Sequence, residues 1–118
     1  MPAQNLNPLK VLEGSQLSAV VFVQDYVQLQ FDGPSLTAIT RPRVHVMNQC
    51  FEWGNQGYRD ALCGQIGKRV RQGLTIPEQE IKIEFEDESS ISISLKSEDY
   101  RAAEAAVFAN PPNPTVVW

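Results

Sequence analysis

Apolar and polar residues alternate along much of this chain, and the alternation has period two. From Leu17 the odd positions read Leu17, Ala19, Val21 and Val23; past Gln24-Asp25-Tyr26 they continue as Val27, Leu29 and Phe31, with Gln28, Gln30 and Asp32 between. Every second side chain of a strand lies on one face, so two strands joined by a short break are expected. Asp32-Gly33-Pro34-Ser35 joins residues that tolerate positive φ to one that fixes φ, which predicts a turn, and Leu36 to Thr40 resumes the meander. Beyond Pro42, Val44 and Val46 alternate with Arg43, His45 and Met47, a short strand beginning past the proline. Residues 48–57 read as a loop. Tyr58, Leu62 and Ile66 then recur at helical spacing before Gly67, predicting one amphipathic helix over about 57–66 packed on the sheet.

The second half repeats the theme. After a mixed basic segment with Val70 and Leu74, and after Pro77, Ile81, Ile83 and Phe85 alternate with Lys82, Glu84 and Glu86. A turn at Asp87-Glu88-Ser89-Ser90 leads into Ile91, Ile93 and Leu95, giving a second hairpin. Ser97, the acidic residues after it and the alanines up to about Val107 predict a short second helix. Three prolines in 110–118 exclude a helix there, so Val116, Val117 and Trp118 are expected to dock as an extended segment. Residues 1–10 and 110–118 are expected to be extended or partly disordered. The fold class that follows is α+β: one domain over 1–118, with a curved, mostly antiparallel sheet of about six strands built from hairpins. Val27 to Asp32 also echoes Ile81 to Glu86 at an offset of 54 residues. Two readings stand side by side: two related units about a pseudo-twofold axis, or the common look of alternating hairpins.

Composition narrows the function classes. With 118 residues, 42% of them hydrophobic, the chain is long enough to build its own core. No run approaches the roughly 18 apolar residues of a membrane helix, and the opening residues lack a signal-peptide pattern, so a cytoplasmic protein without a membrane partner is expected. Two cysteines, Cys50 and Cys63, and one histidine offer too few soft ligands for zinc; no metal and no cofactor are expected, and both thiols are expected reduced. Cys63 is expected to sit buried on the helix. Ten Lys and Arg against fourteen Asp and Glu give a net charge of −4, which argues against a nucleic-acid partner.

That charge is polarised. Residues 41–71 hold six cations and two carboxylates, whereas residues 78–104 hold nine carboxylates and three cations. Either a basic patch binds an anion, or an acidic face docks on a basic partner, or the two sets pair across strands.

Arg41, Arg43 and His45, with the 48–57 loop, form a candidate site for a small anion, or for hydrolysis. No signature supplies an activated nucleophile with an oriented base, so no catalytic residue is assigned. Val20, Phe22 and Tyr26 sit on the nominally polar face of the first strand, making it apolar on both faces. With Phe51, Trp53 and Trp118 they are candidate interface residues, covered either by the chain itself or by a partner.

The stretches LEGSQLSAVVFVQDYVQLQFDGP, ITRPRVHV, YRDALCGQIGKRV and SLKSEDYRAAEAAVF resemble small uncharacterised bacterial proteins of a domain-of-unknown-function family. The resemblance implies a β-rich fold and carries no catalytic residue. The leading expectation is a non-enzymatic protein–protein interaction module that meets a protein partner or self-associates as a homodimer. The alternative is a small anionic-ligand-binding or hydrolytic protein using a pocket near Arg41, Arg43 and His45.

Overall fold

The computed structural model describes residues 7–118, which form ten strands in two five-stranded antiparallel sheets. The first sheet runs in the order β1 (Leu17–Val23), β2 (Tyr26–Phe31), β3 (Ser35–Ala38), β9 (Ala106–Ala109) and β10 (Val116–Val117). The second runs β5 (Gln49–Phe51), β4 (Arg43–Val46), β8 (Ser90–Ser94), β7 (Glu80–Phe85) and β6 (Val70–Ile76). One short helix, α1 (Tyr58–Cys63), and two 3₁₀ turns, Pro8–Leu12 and Ser97–Asp99, complete the described residues. The β-rich, antiparallel character is as expected, but the strands number ten in two sheets rather than about six in one. Segments without a clean alternation, such as 70–76 and 106–109, pair because an open edge stands beside them.

The inward residues of both sheets join one buried cluster: Val27, Leu29, Phe31, Leu36 and Phe108 from the first, Val44, Ile81, Ile83, Phe85, Ile91 and Ile93 from the second. Leu9, Leu12 and Leu62 enter the same cluster. Each fully buried apolar side chain contributes about 1.5–3 kcal/mol by area, which makes this contact the main stabiliser of the fold. Residues 1–6 of the expected lead-in lie outside the described residues, while Leu9 is buried in the 3₁₀ turn.

A β-bulge reverses the faces of β1. Leu17 pairs with Phe31, but Ala19 pairs with Gln30, so one residue is skipped and the alternation slips by one. Val20 then lies opposite Leu29 and Phe22 opposite Val27, and both pack against the core. Val21 and Val23 turn outward, at 37% and 38% exposure.

Both helix predictions need correction. α1 ends at Cys63 instead of about 66, and Ile66 is exposed. Residues 64–67 are spent on turning into β6: Gly67 takes φ +92, where its N–H donates to the Leu17 carbonyl at 2.7 Å. Cys63 lies on the outer side of the helix and is exposed, not buried. The second helix does not form beyond the single turn at Ser97–Asp99. Ala106 is fully buried and pairs with the equally buried Ala38, so it serves as a small side chain beside β3 rather than as a helix former, while Ala102 and Ala103 stand exposed before the strand.

The sequence echo is an internal two-fold. Both β1–β2–β3 and β6–β7–β8 are meanders, each bulged one residue after its start, with Phe31 opposite Leu17 in one and Phe85 opposite Val70 in the other. Where the units meet, Gln16 bridges Arg69, and the hydrogen bonds come in matched pairs. Gly14 N–H donates to Val70 O at 2.9 Å and Gly67 N–H to Leu17 O at 2.7 Å; Leu17 N–H donates to Lys68 O at 3.1 Å and Val70 N–H to Ser15 O at 2.8 Å. Each bond maps onto its mate when residues 14–17 are exchanged with 67–70, as an axis through this point requires. The halves are intertwined: β9–β10 extends the meander of the first half, and β4–β5 extends that of the second.

Candidate functional site

Arg41 and Arg43 bracket the crossing from β3 to β4, and the link from β8 to β9 brings Ser94, Asp99 and Arg101 alongside. Together with Thr40, Glu52 and Trp53 they line a pocket of about 240 Å³. Three guanidinium groups thus converge on one cavity with two carboxylates. Glu52 lies 3.6 Å from Arg43, and Asp99 accepts a hydrogen bond from the Ser94 hydroxyl at 2.6 Å. Among the described residues neither Arg41 nor Arg101 has a carboxylate partner.

Trp53 is the aromatic wall of this pocket. The Arg41 guanidinium lies 3.7 Å from the ring centroid, and that of Arg59 lies 5.2 Å away. Stacking of this kind fixes a long side chain at the cost of little desolvation. Behind Trp53, the Tyr58 ring meets it edge-on at 5.9 Å, and the buried Tyr58 hydroxyl donates to the Pro42 carbonyl at 2.7 Å. Burial pushes the Tyr58 phenol up to about 12, against the opposing pull of Arg41 and Arg59. Tyr58 therefore stays neutral and acts as a strut between α1 and the start of β4. Thr40 adds a stored cost: it is 5% exposed, its N–H is bonded to Ala105 O at 2.9 Å, and its Oγ1 is buried without a hydrogen-bond partner.

The candidate residues divide. Arg41, Arg43 and Trp53 come together in the pocket, while His45 lies two residues along β4, on an adjoining trough floored by Ser90 and Ser92 and walled by Glu80 and Lys82. Phe51 packs against the core, and its ring stands 3.3 Å from where a Cβ on Gly57 would be. Val20 and Phe22 pack inward as described, Tyr26 is half-buried on the outer face of β2, and Trp118 is half-buried beside Val116, Leu74 and Pro8. Ser94, Asp99 and Arg101 carry no local signal; only the end of β8 and the return of the chain toward β9 place them here, while Thr40 arrives as the neighbour of Arg41.

A second polar cluster contains a serine beside a lysine. Ser89 is 4% exposed and accepts from Lys68 Nζ at 3.2 Å, with Gln65 Oε1 and Asp87 Oδ1 as acceptors for its one proton. Lys68 in turn pairs with Asp87 at 2.7 Å. The cluster fastens the β7–β8 turn to residues 65–68. Hydrogen bonds from Lys68 and Ser89 draw the Asp87 carboxyl down to about 2. With Arg71 paired to Glu84 at 3.1 Å, part of the basic segment is balanced by the acidic hairpin next to it.

Compared with known proteins, the chain matches no family model, no curated protein and no solved structure. Among the described residues no three His, Cys, Asp or Glu gather as a metal site, and no helix is long and apolar enough to cross a membrane.

Proposed function

We propose that the chain is a non-enzymatic binding module that takes an oxyanion, carboxylate or phosphate, in the pocket between Arg41, Arg43, Arg101 and Trp53. The observation that carries this reading is the convergence of three arginines with only two carboxylates, each of which already has a partner. Arginine forks match the geometry of carboxylate and phosphate oxygens, and the half-exposed Trp53 ring holds the Arg41 guanidinium at the pocket. The hydrolytic alternative put His45 with Arg41 and Arg43, and His45 lines the adjoining trough rather than this pocket.

Trp53 gives the readout. In a Trp118→Phe background its fluorescence is titrated with inorganic phosphate, with citrate, and with an acidic peptide, each against sodium chloride at matched ionic strength. Saturable quenching that Arg43→Ala and Arg101→Ala each weaken about tenfold is expected, the size of one charge-assisted contact. Saturation by phosphate or citrate alone marks a free small anion, and saturation by the peptide alone marks an acidic protein segment. A response no larger than that to sodium chloride for all three sinks the proposal.

A further inference from the structure

The two-fold supplies an internal control for the outer faces of the sheets. Tyr26, Gln28 and Gln30 of β2 occupy the places held in β7 by Glu80, Lys82 and Glu84. Val107 and Ala109 pair with β3 as Arg43 and His45 pair with β8. The same scaffold therefore bears charge on one face and none on the other. No residue in the five strands of the first sheet is charged, in a chain with 24 charged residues. Nothing in the fold demands that neutrality, since the equivalent positions accept lysine and glutamate.

On the neutral face Val21, Gln28, Thr37, Val107 and Val117 form one row across all five strands. The glutamines are tied flat: Gln30 Nε2 donates to Gln28 Oε1 at 2.9 Å, and Gln28 Nε2 to Thr37 Oγ1 at 3.3 Å. Val21, Val23 and Val117 stand exposed around them.

We infer that this face is where a second copy of the chain docks, sheet against sheet, about a true two-fold axis. Two molecules of net charge −4 repel each other, and the outer face of the first sheet is the strand surface on which they meet without opposing like charges. Its size sets the strength. Five strands about 4.8 Å apart and about five residues deep present roughly 400 Å² per copy. That is below the roughly 800 Å² per partner of a stable complex, so the dimer is transient.

Sedimentation velocity on the full chain, from about 10 µM to about 1 mM, tests this range of weak association. The mass should rise with concentration from 13.2 kDa toward twice that value. Gln28→Lys, which installs the lysine that the matching position already carries, should weaken association about tenfold or more while the monomer keeps its fold by circular dichroism, with a Tm lowered only by the loss of the bonds to Gln30 and Thr37. Val117→Lys on the edge strand should do the same, and Gln72→Lys on the other sheet should not. A strict monomer throughout the range overturns the inference. So does a dimer that Gln28→Lys and Val117→Lys leave intact, or one that Gln72→Lys disrupts.

Discussion

Gly73 in β6 sits against the backbone of the 3₁₀ turn Pro8–Leu12, and replacing it by alanine tests how tightly that turn is wedged. A Cβ at Gly73 would lie 2.6 Å from the Leu9 carbonyl oxygen, 3.0 Å from Leu9 Cβ and 3.2 Å from the Leu9 carbonyl carbon. The obstacle is main chain, so no side-chain rotation relieves it. Overpacking of this kind costs about 1–3 kcal/mol, while removing glycine from the unfolded chain returns about 0.4–1 kcal/mol. An approach of 2.6 Å to a backbone oxygen puts the overpacking cost in the upper half of its range, so the expected balance is a loss of about 1–2 kcal/mol. Unfolding entropy for a domain of this length is about 0.25 kcal/mol per degree, so Tm should fall by roughly 4–8 °C. The alternative route, in which the turn peels away, destabilises too, because Leu9 and Leu12 are both fully buried. Calorimetry gives the loss, and hydrogen exchange at residues 9–12 tells strain from detachment. Gly64→Ala is the comparator: its backbone is ordinary right-handed helix and its Cβ would meet Asp60 O at 3.1 Å, so Tm should move by under about 2 °C. An unchanged or raised Tm for Gly73→Ala refutes the reasoning.

Two pH limbs follow from the polar clusters. Asp87 has its carboxyl lowered to about 2, so the stability it supplies is present above its ordinary value near 3.8 and is lost as pH falls toward 2. Because the side chain is half exposed the effect is small; the urea midpoint should drop between those pH values, and less steeply in Asp87→Asn. Tyr58 is raised to about 12, so its contribution holds up to its ordinary value near 10 and fades as pH climbs toward 12. Ultraviolet titration should show one tyrosine ionising together with unfolding, and Tyr58→Phe should remove that step while costing about 1 kcal/mol for the lost bond to Pro42.

What could be read from the chain alone depended on how local the signal was. β2, β7 and β8 alternate cleanly and end at marked turns, so their existence and buried residues were visible. β1 was visible too, yet its facing was not, because a bulge is a one-residue slip that leaves no mark in the alternation. β5 escaped notice because the turn before it, Met47-Asn48, takes left-handed backbone at φ +50 and +70 without the usual glycine. β9 was hidden under alanines whose helix propensity yields to the open edge of β3. In the pocket, Arg41, Arg43 and Trp53 were legible as neighbours in sequence, and Arg101 was not, since only the exchange of hairpins between the halves delivers it.

That exchange also dictates an order of events at the ribosome. β3 is made early, yet its partner β9 lies about 70 residues further on, so the edge of β3 waits unpaired while the whole second sheet is synthesised. The second sheet needs no such wait, since all five of its strands fall within residues 43–94. Closing so long a loop costs entropy before it returns contacts. The β3–β9 pairing is therefore the longest closure in the first sheet, and until β9 docks the edge of β3 stands open to other chains.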